Sequence, residues 1–207
     1  MKNTPNDWSD LLGQAYALRA TLYRELTWHY GDCIYYTENE AGQDIKELTN
    51  RDYILENEID ALIAIEPLMY KIGENGHMPD QMTKNYVDGL IGRLCLQEAG
   101  YQTRRTDLGD DFYTDKEGNK IAIDVWGTDD SRKAAYGRRS DWKKFYEKAL
   151  PWLKKGVTET GEARLETVDT RSDKEGRTYN NPYQVIFDDM NKQKMSYESI
   201  FEFSIKE

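Results

Sequence analysis

An amphipathic helix followed directly by short strands constrains the fold most strongly. Apolar residues between positions 79 and 98 recur along one side of a helix, which Gly100 ends. These residues are Tyr86, Val87, Leu90, Ile91, Leu94 and Cys95. Gly89 and Gly92 are unfavourable inside a helix, so we expect another element to approach it closely there.

Two further helices are predicted near the N-terminus. Leucines and an alanine repeat at helical spacing after an N-cap at Asp7 or Ser9, and Gly31 provides a stop. A second helix is expected after Asn50, with a kink or break at Pro67. The residues of the first repeat are Leu11, Ala15, Leu18, Leu22 and Leu26.

The remaining segments predict strands around one basic helix. We expect strands at 32–38 and 101–105, and a hairpin in which 111–114 and 120–126 flank the turn at 115–119. A basic helical region is predicted over 131–155, with a break at Pro151. A C-terminal β-meander is expected from three alternating segments, which are 162–170, 182–188 and 194–206.

Length and composition indicate one compact domain. The 207 residues divide into an N-terminal helical region, 1–75, and an α/β core, 76–207. No apolar run has the length of a membrane span, and the first residues lack a signal-peptide core. Cys33 and Cys95 have no CxxC neighbour, which favours reduced thiols in a cytoplasmic protein.

Carboxylates surround the predicted hairpin. Alternation along 120–126 places Asp124 and Trp126 on the face opposite to Ile123, and the hairpin can bring Asp111 near Asp124. Two close carboxylates repel each other, so a divalent cation would stabilise them. Mg²⁺ suits such a pair because it keeps several waters and needs only one or two carboxylates.

The order of helix, strand, strand, turn, strand and helix over 79–150 resembles the core of the PD-(D/E)XK, or restriction-endonuclease-like, nuclease family. The resemblance covers about half of the chain and rests on short motifs. Members of the family carry one acid on the first helix, one at the start of the second strand and one on the third strand. The resemblance implies that these positions correspond to Asp88, to Asp111 or the adjacent Asp110, and to Asp124. It also implies Mg²⁺-dependent phosphodiester hydrolysis. The family lysine falls on Trp126.

A displaced basic residue could replace that lysine. Lys120, Arg132 and Lys133 are the candidates, with Lys120 or Lys133 in the catalytic role. Trp126 could instead stack on a base or fill the site. The alternative without a catalytic site is an acidic hairpin in which Trp126 is a core or interface aromatic.

A basic segment stands out in an acidic chain. The net charge is −10, yet residues 132–155 carry nine bases against Asp141 and Glu147, a local charge of +7. Interleaved bases and aromatics are typical of nucleic-acid binding. The candidates are Trp126, Arg132, Lys133, Arg138, Arg139, Trp142, Lys143 and Lys144. The alternative is an ordinary amphipathic helix with a solvated charged side.

We therefore expect an α/β (α+β mixed) fold with a restriction-endonuclease-like core sheet, added N-terminal helices and a C-terminal β-meander. The favoured function is a nuclease-like protein that hydrolyses or binds nucleic acid. One alternative is a catalytically inactive acidic protein that inhibits a nucleic-acid-binding enzyme, as in viral anti-defence. Another is a structural or assembly subunit.

Overall fold

The fold is described from a computed structural model that covers residues 4–36, 47–109, 111–171 and 178–202. These residues form a mixed α/β protein. The α-helices are α1 (Asp7–Tyr30), α2 (Arg51–Ile65), α3 (Lys84–Ala99), α4 (Lys143–Thr158) and α5 (Val185–Asn191). The strands are β1 (Gln102–Arg105), β2 (Ile123–Asp129) and β3 (Ala134–Arg139). Asp110 lies outside the described residues, so its predicted role stays a prediction.

Local sequence explains the ends of the first two helices. The side chain of Asn6, rather than Asp7 or Ser9, caps α1 and forms a capping box with Ser9. The side chain of Asn50 accepts from the backbone N–H of Tyr53 and caps α2. The chain then continues from Ile65 into a short 3-10 helix, Glu66–Leu68, so the predicted break at Pro67 is confirmed.

The side of α1 that faces the core differs from its leucine repeat. The repeat correctly predicts a helix, but Leu11, Leu18 and Leu22 are exposed, whereas Ala17 and Ala20 are fully buried. Small residues let α1 approach its neighbours closely. A Cβ on Gly13 would lie 2.4 Å from Cγ of Met69, which shows how tight this packing is.

Helices α3 and α4 pack along each other and form most of the core with α2. The apolar side of α3 is confirmed, because Val87, Ile91 and Leu94 are fully buried. Gly92 lies against α4, where an added Cβ would be 2.4 Å from Cδ2 of Leu153. This contact confirms the expected close approach at Gly92, whereas a Cβ on Gly89 would meet, among the described residues, only Cδ1 of Ile200, at an ordinary 3.5 Å. The helix begins at Lys84, later than the position 79 that the sequence suggested.

The sheet is antiparallel, with strand order β1-β3-β2. Gln102 and Arg104 of β1 and Gly137 and Arg139 of β3 are buried on the side that faces the helices. On the opposite side, Asp124 of β2 is paired in register with Arg138 of β3. We call this opposite side the outer face of the sheet.

The predicted hairpin is shorter than expected. Thr114 and Lys120 form a single antiparallel bridge around a turn in which the Asp115 carboxylate accepts backbone N–H groups. Residues 111–114 form no strand, and β2 pairs with β3 instead. The segment at 32–36 contributes only an isolated bridge between Cys33 and Thr49, and 37–38 lie outside the described residues.

Two other secondary-structure predictions are wrong. The stretch 131–142 contains a turn and β3, and the basic helix begins only at Lys143 and continues through Pro151. No strand occurs at 162–170 or 182–188, where the chain is irregular or helical. Described residues of the third meander segment, 194–202, also form no strand. These segments do alternate, but no described strand is beside them to complete a β-ladder.

Candidate functional site

The acids expected to share a metal ion have separate surroundings. The Asp111 side chain is 97% exposed, and its carboxylate lies 3.6 Å from Nζ of Lys120. Asp124 is exposed on the outer face and accepts a hydrogen bond of 2.5 Å from the hydroxyl of Ser140. The hairpin that was expected to join these acids ends before it reaches them.

Asp88 is buried within the helical layer. Its carboxyl group lies beside Glu66, which forms ion pairs with Lys155 at 2.8 Å and Lys84 at 3.4 Å. The pKa of Asp88 is raised to about 7, mainly by burial and also by the neighbouring Glu66 carboxylate. Asp88 is therefore one half of a buried acid pair.

These acids do not fit the expected Mg²⁺ site. Across the described ranges, no three His, Cys, Asp or Glu side chains converge as a set that could hold a metal ion. Asp88 lies beside Glu66, Asp111 beside Lys120 and Asp124 beside Ser140, so none of the three is a partner of another. We derive no metal-dependent step from them.

Several of the basic residues predicted to contact nucleic acid pair with acidic side chains of the protein instead. Arg139 is wrong as a nucleic-acid contact, because its guanidinium is buried and bonds to Glu56 and Glu98. Lys144 forms an ion pair of 2.6 Å with Asp141. Arg132 lies 3.6 Å from Asp129 in the turn between β2 and β3.

A buried charge network behind the sheet explains Arg139. Burial raises the pKa of Glu98 well above its usual range, and Asp52 raises it further while Arg139 opposes the shift. Asp52 in turn bonds to Arg104 at 2.6 Å. From the sequence, Glu98 looks like a solvated residue near a helix end. The signal in the sequence that could have indicated burial is its helical spacing from Leu94 and Cys95, which places Glu98 on the apolar side of α3.

Four bases of the segment differ from the others because no described acid lies within ion-pair distance of them. Lys133, Arg138, Lys143 and Lys154 make no ion pair with any acid that the structure describes. Lys133 sits in the β2–β3 turn with a positive φ of 51°, and its side chain is exposed. Arg138 and Lys143 lie next to aromatic rings.

Those rings form a cluster at the end of the outer face. The guanidinium carbon of Arg138 is 4.0 Å from the ring centre of Trp142 and 5.1 Å from that of Tyr101. Nζ of Lys143 lies 5.6 Å from the Trp142 ring, and Tyr146 meets the same ring edge-on. We call Tyr101, Arg138, Trp142, Lys143 and Tyr146 the aromatic–basic cluster.

Trp126 is a strongly exposed residue of β2. It lies at an irregularity between Val125 and Gly127, and 83% of its surface is accessible. It is therefore not a core aromatic. Leaving an indole exposed is unfavourable in water, so a stacking partner would stabilise it. Trp126 and Trp142 stay predicted nucleic-acid contacts, and the sequence did not indicate Tyr101, which β1 brings next to Arg138.

Comparison with known proteins finds no matching family model, no similar curated protein and no similar solved structure. Among the described residues, no helix combines the length and apolarity needed to cross a membrane. The resemblance to the PD-(D/E)XK family accordingly stays a prediction.

Proposed function

We propose that this protein binds single-stranded nucleic acid through the outer face of its sheet, on a nuclease-like scaffold. The single observation behind the proposal is the contact of Arg138 with two aromatic rings, one of them the exposed ring of Tyr101. Aromatic side chains stack on unpaired bases, and arginine and lysine neutralise the adjacent phosphates.

The positions of the available cations support this proposal. Arg138, Lys143 and Lys133 make no ion pair with a described acid, so each can contact a phosphate without first breaking such an ion pair. The rest of the acidic chain repels a polyanion at long range. Binding through this small patch should consequently be weak at physiological salt and should strengthen at low salt.

The order α3, β1, β2, β3, α4 supports a nuclease-like scaffold, because it retains a helix, three strands and a helix in sequence. The proposal concerns binding and not hydrolysis. The described acids predicted to hold Mg²⁺, Asp88, Asp111 and Asp124, have different surroundings and belong to no group that could hold a metal ion, and a phosphodiesterase of this kind would need them together.

Binding of labelled DNA and RNA oligonucleotides, measured by fluorescence anisotropy, tests the proposal. Single strands should bind more tightly than the matching duplexes, because only unpaired bases expose their faces. Arg138→Ala and Lys143→Ala should each weaken binding about 5- to 10-fold. Lys154→Ala is the matched control, since it removes a lysine from the same helix outside the cluster.

Equal affinities of these variants and the wild-type protein would refute the proposal. Absence of binding to any oligonucleotide at low salt would also refute it. In that case a protein partner for the acidic surface becomes the favoured alternative.

A further inference from the structure

A cavity of about 690 Å³ adjoins the aromatic–basic cluster. It lies where the C-terminal ends of α1 and α3 meet the start of α2 and β1. Its volume falls within the usual range for small-molecule sites in proteins. Tyr101 belongs both to the cavity wall and to the cluster, so the two features are continuous.

Aromatic rings line the cavity. Trp28 is 63% exposed and Tyr30 is 78% exposed, although both are large and partly apolar. Together with Tyr101 they provide three ring surfaces at one site. Rings of this kind stack on planar ligands, and such stacking contributes about 1–3 kcal/mol for a nucleobase.

Three residues that line the cavity have a buried polar atom without a partner among the described residues. These atoms are Oε1 of Gln97, Oε1 of Gln102 and Nε of Arg51. Buried polar atoms normally have hydrogen-bond partners, so three such atoms in residues of one cavity wall favour a ligand that can bond to them.

Neighbouring bonds fix the direction of both carboxamides. The amide nitrogen of Gln102 donates to the backbone carbonyl of Gln97 at 2.6 Å, which only a nitrogen can do. The amide nitrogen of Gln97 donates to Thr27, whose hydroxyl is itself used as a donor to the carbonyl of Arg24. The two oxygens are therefore acceptors, and N–H groups are the partners that they lack.

The guanidinium of Arg51 adds positive charge and a donor. Its terminal nitrogens donate to the carbonyls of Thr27 and Thr103, which holds the group in place and leaves Nε without an acceptor. Among the described residues, Asp32 has the only carboxylate in the cavity wall, and it accepts from the backbone N–H of Arg51 and from the Tyr113 hydroxyl.

We infer that this cavity binds a nucleobase that carries amino or ring N–H donors. The base stacks on Trp28 and Tyr101, donates to the oxygens of Gln97 and Gln102, and offers an acceptor to Arg51. The choice of ligand rests on the proposed function, because Tyr101 joins the cavity to the face where a strand would lie. The base can come from an unstacked residue of that strand or from a free nucleotide.

Calorimetric titration with AMP, GMP, CMP and UMP tests the free-nucleotide source, and anisotropy with oligonucleotides tests the strand source. Trp28→Ala should weaken binding about tenfold in at least one of the two assays. Trp8→Ala is the matched control, because Trp8 is also an exposed tryptophan of α1 and lies outside the cavity. UMP should bind more weakly than the amino-bearing nucleotides, since uracil has a single N–H donor.

A Trp28 effect on oligonucleotides alone assigns the site to a base of the bound strand. A Trp28 effect on mononucleotides, even without oligonucleotide binding, supports the cavity while the proposed function fails. Trp28→Ala and Tyr30→Ala that both match Trp8→Ala in every assay would overturn the inference. If Arg138→Ala still weakens oligonucleotide binding in that case, the proposed function stands.

Discussion

Replacing Asp88 with asparagine should remove a buried charge that destabilises the folded protein above neutral pH. In the folded state the pKa of Asp88 is about 7, against an ordinary value of 3.8, because of burial and the nearby Glu66. The folded protein thus holds this proton more tightly than the unfolded chain. The stabilisation of the folded protein by this protonated carboxyl group is fully present below about pH 4 and is lost as the pH rises through 7.

The size of the effect follows from the shift. At about 1.4 kcal/mol for each pKa unit, the rise from 3.8 to about 7 corresponds to at most about 4 kcal/mol. Asparagine has nearly the same shape, carries no charge, and supplies an N–H group that can donate to Glu66 in place of the O–H of protonated Asp88. The Asp88→Asn variant should therefore be about 1–3 kcal/mol more stable than wild type at pH 8.

Urea unfolding at several pH values between about 4.5 and 8 measures this difference directly. The stability gain of Asp88→Asn should be small at the lowest pH and should grow as the pH rises. Asp80→Asn, at an exposed acid before α3, is the control and should show no such trend. A variant that is less stable than wild type at pH 8, or a difference independent of pH, would refute the buried acid pair.

Two further predictions concern the sheet and its charge network. Arg139→Met should destabilise the protein by about 3–5 kcal/mol in urea unfolding, because it leaves Glu56 and Glu98 buried without their cation. Arg138→Met is the control and should change the free energy of unfolding by less than about 1 kcal/mol in the same assay. Equal effects would contradict the network. Gly137→Ala should destabilise the protein by about 1–3 kcal/mol, because the new Cβ would lie 2.6 Å from the carbonyl oxygen of Asp124. Gly156→Ala, in open space on α4, is the control and should stabilise the protein slightly. Thermal unfolding compares the two variants, and a Gly137→Ala protein as stable as wild type would disprove the register of β2 and β3.

Helices could be predicted from the sequence because their signals are local. The apolar stripe around Ile91, the cap at Asn50 and the break at Pro67 each depend on residues within a few positions. Which side of α1 is buried depends instead on how closely other elements pack. The small residues Ala17 and Ala20 decide that outcome, although the leucines dominate the periodic pattern.

Strand pairing could not be obtained in the same way. The alternation in 120–126 suggests a strand, but whether it pairs with 111–114 or with 134–139 depends on contacts that no short segment encodes. The pairing of β2 with β3 determines which candidate site residues come together. Asp111 and Asp124 have different side-chain partners, Lys120 and Ser140, whereas Tyr101 and Arg138 meet across β1 and β3.

The salt dependence of oligonucleotide binding tests the central claim most directly. If Lys133, Arg138 and Lys143 each contact a phosphate, the logarithm of the binding constant should fall with the logarithm of salt concentration with a slope of about −2. An Arg138→Ala/Lys143→Ala double variant should bind more weakly, with a slope closer to zero by about 1.4 units. An affinity and slope unchanged in the double variant would contradict binding at the aromatic–basic cluster.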